Sequence, residues 1–252
     1  MRFLITDLAT SLSLLSRLPV RVNHVVAGRR SAEAAWGWPV VGVLIAALAA
    51  LPGLLLTMLA VPAPIAAGAS LLTMVMLTGA MHEDGLADSA DGLWGGWEPV
   101  RRLEIMKDSR VGVYGVLALV LTLGLRWSAL AALLSSGTLA FLVGISAAAA
   151  LSRAAMAGVM HALPPAREDG LAAGVGAVPS SAALIAALLG LAFSLGAGIA
   201  AGITAALVTA AVSFLVALVA RAKIGGQTGD ILGATQQVAE VSALLTLTAS
   251  LT

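Results

Sequence analysis

From Ser180 to Ala220 the chain carries no charged residue. A membrane-crossing helix needs about 20 mostly apolar residues, so this run holds two crossings, with a break near the glycines at 196–202. Similar stretches lie at 37–61 and 63–81, separated near Pro62 and Pro64, and at 112–135 and 138–160, separated by Ser135-Ser136-Gly137. A last apolar piece, 241–252, is short for a full crossing. The 252 residues are 60% hydrophobic and 11% charged, against about 45–50% and about 25% in soluble domains. The expected fold is an all-α polytopic membrane helical bundle over residues 1–252, read as one domain. It has about six transmembrane helices, or seven if the last piece crosses.

The first segment, Met1 to Val20, does not read as a convincing signal peptide, because Asp7 interrupts its apolar part and no clean cleavage site follows. It reads as an amphipathic helix lying at the interface and ending at Pro19. With spans numbered in order, the turns after the first, third and fifth contain no charge. The loops at 17–36, 82–111, 161–179 and 221–240 carry nearly every charge and all fall on one side. The first of them sets Arg17, Arg21, Arg29 and Arg30 against Glu33. The excess of positive charge places these loops, and any active face, in the cytoplasm. The net charge of +1 gives no pull towards nucleic acid. With no cysteine there are no disulfides and no thiolate metal sites. Nothing in the sequence fixes an oligomeric state.

Seven of the 13 acidic residues fall within 82–110. Asp84, Asp88 and Asp91 are spaced i, i+4, i+7, which puts three carboxylates on one face of a helix. Like charges stacked in this way repel, and a divalent cation or a phosphate-bearing metal complex removes the conflict. The alternative is a solvated acidic loop at the end of a helix. Next come Arg101, Arg102, Lys107 and Arg110, alternating with Glu104 and Asp108. They suit phosphate oxygens, and equally a surface helix with ion pairs. The stretch 223–240 contains Gly225, Gly226, Gly229 and Gly233 with Gln227, Thr228 and Asp230. Such a loop can bring backbone N–H groups to phosphate, and Asp230 adds a metal ligand; a simple turn between helices looks similar. Two arginines fall inside spans. Arg153 is placed to reach the acidic cluster, whereas Arg126, towards the far end of its span, is expected to snorkel. Together these features suggest Mg²⁺-assisted phosphoryl transfer at a membrane surface.

The stretch His82-Glu83-Asp84-Gly85-Leu86-Ala87-Asp88-Ser89-Ala90-Asp91-Gly92 resembles the H-x-D-G-L-A-D-x-x-D-G motif of the cobalamin synthases, the adenosylcobinamide-GDP ribazoletransferases. The resemblance continues through Ser16-Arg17-Leu18-Pro19, Pro39-x-x-Gly42, Glu104 to Gly112, Ser152-Arg153, Arg167-Glu168-x-Gly170-Leu171 and Gly225 to Ala234. It implies an Mg²⁺-dependent enzyme of the bacterial cytoplasmic membrane that joins adenosylcobinamide-GDP to α-ribazole, or its 5′-phosphate, and releases GMP. On that basis Asp84, Asp88, Asp91 and Asp230 are the expected metal ligands. Lys107, Asp108, Ser109, Arg110, Arg153, Arg167, Gln227 and Thr228 are expected to bind phosphate and substrate. His82, or one of the carboxylates Asp84, Asp88 and Asp91, is expected to accept the hydroxyl proton. Two rival readings fit less well. A CDP-alcohol phosphotransferase would carry Ala-Arg shortly after Asp84-Gly85, where this chain does not. A transporter would place its acids near the bilayer midplane.

Overall fold

The computed structural model describes residues 2–251, with side chains from Leu4 onward. No strand forms among these residues. The chain opens with α1 (Arg2–Leu15) and α2 (His24–Arg30), then enters α3 (Trp38–Met58) through a 3-10 turn. α4 (Ala63–Thr78), α5 (Met81–Gly95) and the short α6 (Pro99–Ile105) follow. α7 (Val113–Ser135) and α8 (Thr138–Ala162) form a hairpin, and α9 (Leu171–Val175) is a single turn. α10 (Ser180–Ser194), α11 (Ile199–Ile224) and α12 (Gly229–Leu251) complete the bundle. α8 lies at its centre, packed against α3, α10 and α12. Its run Ala147 to Ala150 is buried, and small side chains let those neighbours approach closely. Val120 and Leu121 on α7, and Leu207 and Leu215 on α11, point outward, as suits surfaces bathed in hydrocarbon. This is a multi-pass membrane protein.

Among the described residues, five helical stretches are long and apolar enough to cross a bilayer: Glu33–Met58, Val113–Ser135, Thr138–Ala162, Ser180–Ala197 and Ile199–Ile224. The expected span at 63–81 is different. α4 has 16 residues, about 24 Å at 1.5 Å per residue, and then the chain turns by 85° into α5. The pair makes a sixth span only if the two are taken as one broken element. Gly79 (φ 66°) and Ala80 (φ 58°) are both left-handed there. Glycine adopts that conformation freely, whereas alanine pays about 1–2 kcal/mol for it. The turn is braced from outside, because the Arg17 N–H donates to the Leu77 carbonyl at 2.7 Å and the Arg17 side chain lies where a Gly79 side chain would stand.

The C-terminal expectation needs a larger correction. Instead of a loop to 240 and a short apolar piece, α12 is one helix of 23 residues. Its polar residues Thr235, Gln236, Gln237 and Glu240 are all buried. Hydropathy scored them as loop, yet they face partners inside the bundle.

The charged connections meet at one end of the molecule, as the charge map anticipates. Lys223 Nζ donates to the Leu93 carbonyl at 2.8 Å and lies 4.4 Å from the centre of the Trp94 ring. Arg102 Nη1 donates to the Lys223 carbonyl at 2.8 Å. Pro165 and Gln227 pair as an isolated bridge, Gln227 N–H to the Pro164 carbonyl and Ala166 N–H to the Gln227 carbonyl, each at 2.8 Å.

Candidate active site

The site is assembled where α5 and α12 touch backbone to backbone. A methyl group at Gly85 would stand 2.9 Å from the Asp230 carbonyl oxygen and 3.2 Å from Gly233 Cα. Glycine at 85 and 233 therefore brings the acidic face of α5 against the first turn of α12. Asp84 is exposed, Asp88 half-buried and Asp91 buried. Asp88 lies within the fields of Asp84, Asp230 and Asp91. This is the crowding of carboxylates that the spacing anticipated, with Asp230 added from 142 residues beyond Asp88.

Thr228 caps α12, its hydroxyl accepting the Ile231 N–H at 3.2 Å and donating to Asp230 Oδ2 at 3.2 Å. The Pro165–Gln227 bridge then brings the 161–179 loop alongside, and Arg167 Nη2 reaches Asp230 Oδ2 at 3.1 Å. Gly226 makes the bridge feasible, because a side chain there would collide with the Pro164 carbonyl. Arg167 Nη1 is buried without a partner. Asp169 links Arg167 (3.6 Å) to Lys107 Nζ (2.6 Å), so α6 joins the same cluster. Lys107 and Asp169 are exposed, and that pair is worth little on its own. A recess of about 220 Å³ between α6 and the loop is lined by Lys107 and Arg167.

Not every expected residue faces this patch. Both Asp91 oxygens are engaged by the start of α7, accepting the Gly112 N–H at 2.7 Å and the Gly115 N–H at 3.0 Å. Asp91 thus ties α5 to the positive end of α7. Arg110 and Asp108 pair with each other at 2.6 Å. The Arg110 hydrogen bonds hold the Asp108 carboxyl down at about 2. Ser109 is exposed beside them. Gln227 contributes its backbone to the bridge, and its side-chain Oε1 is buried without a partner. Arg153 donates to Glu240 and to Ser152 in the bundle interior, and does not pair with the α5 aspartates.

The snorkelling expected of Arg126 does not occur. Its side chain is 1% exposed, with Nη1 2.7 Å from Glu83 and Nη2 2.7 Å from Glu240. Gln237 adds a 2.9 Å contact. Two arginines and two glutamates thus pair inside the bundle, with Arg126 Nε, Arg153 Nε and Glu83 Oε2 left without a hydrogen-bond partner. The sequence sets Glu83 beside the three aspartates as part of a metal-binding cluster, yet it pairs with Arg126; Glu240 went unnoticed, although two arginines in apolar spans call for acids nearby.

Beside this network a cavity of about 290 Å³ opens next to the carboxylates. His82, Asp84, Gly229 and Asp230 line one side, and Arg17 stands at its edge. His82 is 1% exposed, and its Nε2 has no partner. A pocket with acids, a buried imidazole and an unengaged guanidinium N–H beside it suits transfer of a phosphoryl group to a hydroxyl.

A family model described as cobalamin-5-phosphate synthase matches residues 7–248. The chain belongs to the cobalamin-5-phosphate synthase family. It is 41% identical to the adenosylcobinamide-GDP ribazoletransferase of Bradyrhizobium diazoefficiens, over 97% of this chain and 94% of the relative. Its identity to the proteins of that name from Mesorhizobium japonicum and Allorhizobium ampelinum is 40% and 42%, over 99% and 98% of this chain and 95% and 98% of theirs. No solved structure matches. The geometry above therefore describes the H-x-D-G-L-A-D and G-G-Q-T-G-D segments of a cobalamin-5-phosphate synthase as two helix ends in backbone contact.

Proposed function

We propose that this chain transfers the adenosylcobinamide phosphate of adenosylcobinamide-GDP to α-ribazole or its 5′-phosphate, releasing GMP, at the cytoplasmic surface of the bacterial inner membrane. The observation that carries this reading is the meeting of Asp84 and Asp88 with Asp230 and Arg167 beside a cavity that Asp84 and Asp230 line, in a chain matched to the family along nearly all its length. The four arginines of the first charged loop support the cytoplasmic orientation.

The donor set fits Mg²⁺. Asp84, Asp88 and Asp230 are hard oxygen ligands, and Mg²⁺ takes one or two carboxylates together with water and substrate phosphate. Among the described residues no three acidic or histidine side chains form a ready-made cage, so the diphosphate itself would have to supply ligands. Its chemistry there would be neutralisation of the diphosphate charge. Arg167 Nη1 and Lys107 are placed to take phosphate oxygens. The 3′-hydroxyl oxygen of the ribose bonds to the phosphorus nearer the cobinamide. The bond from that phosphorus to the oxygen shared with GMP breaks, and GMP leaves with the electron pair. The hydroxyl proton passes to His82 Nε2 or to one of the neighbouring carboxylates.

The test uses purified protein in liposomes with Mg²⁺, adenosylcobinamide-GDP and α-ribazole. Cobalamin or its 5′-phosphate and GMP should appear in equal amounts, and Asp88→Asn should insert normally but lose at least 100-fold in turnover. Undiminished GMP release by Asp88→Asn would end the metal-ligand role.

A further inference from the structure

The cavity beside the carboxylates has a second, apolar wall. Trp38 on α3, Met156 and Met160 on α8, and Leu171, Ala172 and Val175 on α9 form it. Its volume of about 290 Å³ lies just below the roughly 300–1,000 Å³ of small-molecule sites. That is room for a two-ring base with its sugar and far too little for a corrin macrocycle. Flat aromatic heterocycles pack well against thioethers and an indole. The polar edge carries the groups a ribose needs, with the unpartnered Nε2 of His82 on one side and Asp84 and Asp230 beyond it. Arg17 is the one permanent cation among the lining residues. Its backbone N–H is held by the Leu77 carbonyl and its side chain runs over Gly79.

We propose that this cavity is the seat of the benzimidazole nucleoside, with the base against the Met156–Met160 wall, the ribose at His82, and Arg17 at the rim for the 5′-phosphate of the phosphorylated acceptor. The assignment rests on the transfer reaction proposed above. It separates the two substrates in space. The nucleoside is enclosed between α3, α8, α9 and α12, while the cobinamide stays outside the cavity and reaches it only through the diphosphate. Acceptor choice is then set by cavity walls that do not touch the leaving GMP.

Steady-state kinetics with four acceptors test this: α-ribazole, its 5′-phosphate, and the two corresponding benzimidazole nucleosides lacking the ring methyl groups. Ala172→Leu, which narrows the apolar end, should raise KM for α-ribazole at least tenfold. It should shift preference towards the unmethylated base by a similar factor and leave KM for adenosylcobinamide-GDP within twofold. Arg17→Gln should raise KM for the 5′-phosphate at least tenfold and for α-ribazole less than twofold. A general loss of folding would not change selectivity between acceptors. If Ala172→Leu alters both substrates equally or neither, or Arg17→Gln weakens both acceptors alike, the assignment is overturned. A wild-type protein that releases no GMP with any acceptor would instead overturn the reaction itself.

Discussion

At the scale of single residues, the chain separates its ionised groups into two kinds. Arg126, Arg153, Glu83 and Glu240 are buried and mutually paired, while Asp84 and Asp230 line an opening, with Arg167 bonded to Asp230 and Asp88 within the field of both acids. Removing one partner of a buried pair leaves an uncompensated charge, at a cost of about 3–5 kcal/mol. Arg126→Met should therefore lower the thermal unfolding temperature in detergent sharply. Arg126→Lys should recover little, because a point charge cannot reach Glu83, Gln237 and Glu240 as the guanidinium fork does. An unchanged unfolding temperature in Arg126→Met would show that the network contributes nothing to stability. Sequence made the α5 aspartates legible, since their spacing is a local property of a helix. The fate of Arg126 was not legible. Its partners lie 43 and 114 residues away, and only tertiary packing decides between snorkelling and a buried pair.

The elements show where hydropathy succeeds and where it fails. The spans between 37 and 220 were visible because their side chains face lipid or an apolar core. α12 was hidden because Gln236, Gln237 and Glu240 turn polar groups towards other polar groups. The break between α4 and α5 was equally hidden, since it depends on Ala80 accepting a left-handed conformation against its own preference. The contact of α5 with α12 gives a sharp prediction. Gly85→Ala must push the Asp230 backbone away, so turnover should fall at least tenfold, about 1.4 kcal/mol of barrier, with insertion intact. Wild-type turnover would mean that the helix separation does not matter to the chemistry. α1 carries its own latch. Burial alone pushes the Asp7 carboxyl up, but hydrogen bonds from Arg30 and Trp36 outweigh it and leave the group below its usual 3.8. Its contribution is full above that value and is lost as pH falls through the lower value in the folded protein. Hydrogen exchange should find α1 protected at neutral pH and freed only below about pH 4, whereas Asp7→Asn should expose it at every pH. Protection in Asp7→Asn equal to wild type would contradict the latch.

At the scale of the whole molecule, the long helices form the membrane bundle, and the charged connections gather the chemistry at one end. Links from Lys107 to Asp169, Arg167 to Asp230, and Lys223 to Leu93 tie three of those connections together. Arg17 brings in the first through its bond to Leu77. The charge map anticipated this gathering, because short uncharged turns left the opposite side nothing to react with. It gave no hint of the cavity, whose apolar wall comes mainly from Trp38, Met156, Met160, Ala172 and Val175, residues outside the motifs. The chain has no native cysteine, so single cysteines placed at 88 and at 230 can be labelled without background. In membrane vesicles of known orientation, an impermeant maleimide should modify both from the cytoplasmic side, and adenosylcobinamide-GDP with Mg²⁺ should protect both. Labelling of the two positions from opposite sides of the membrane would contradict a shared diphosphate site.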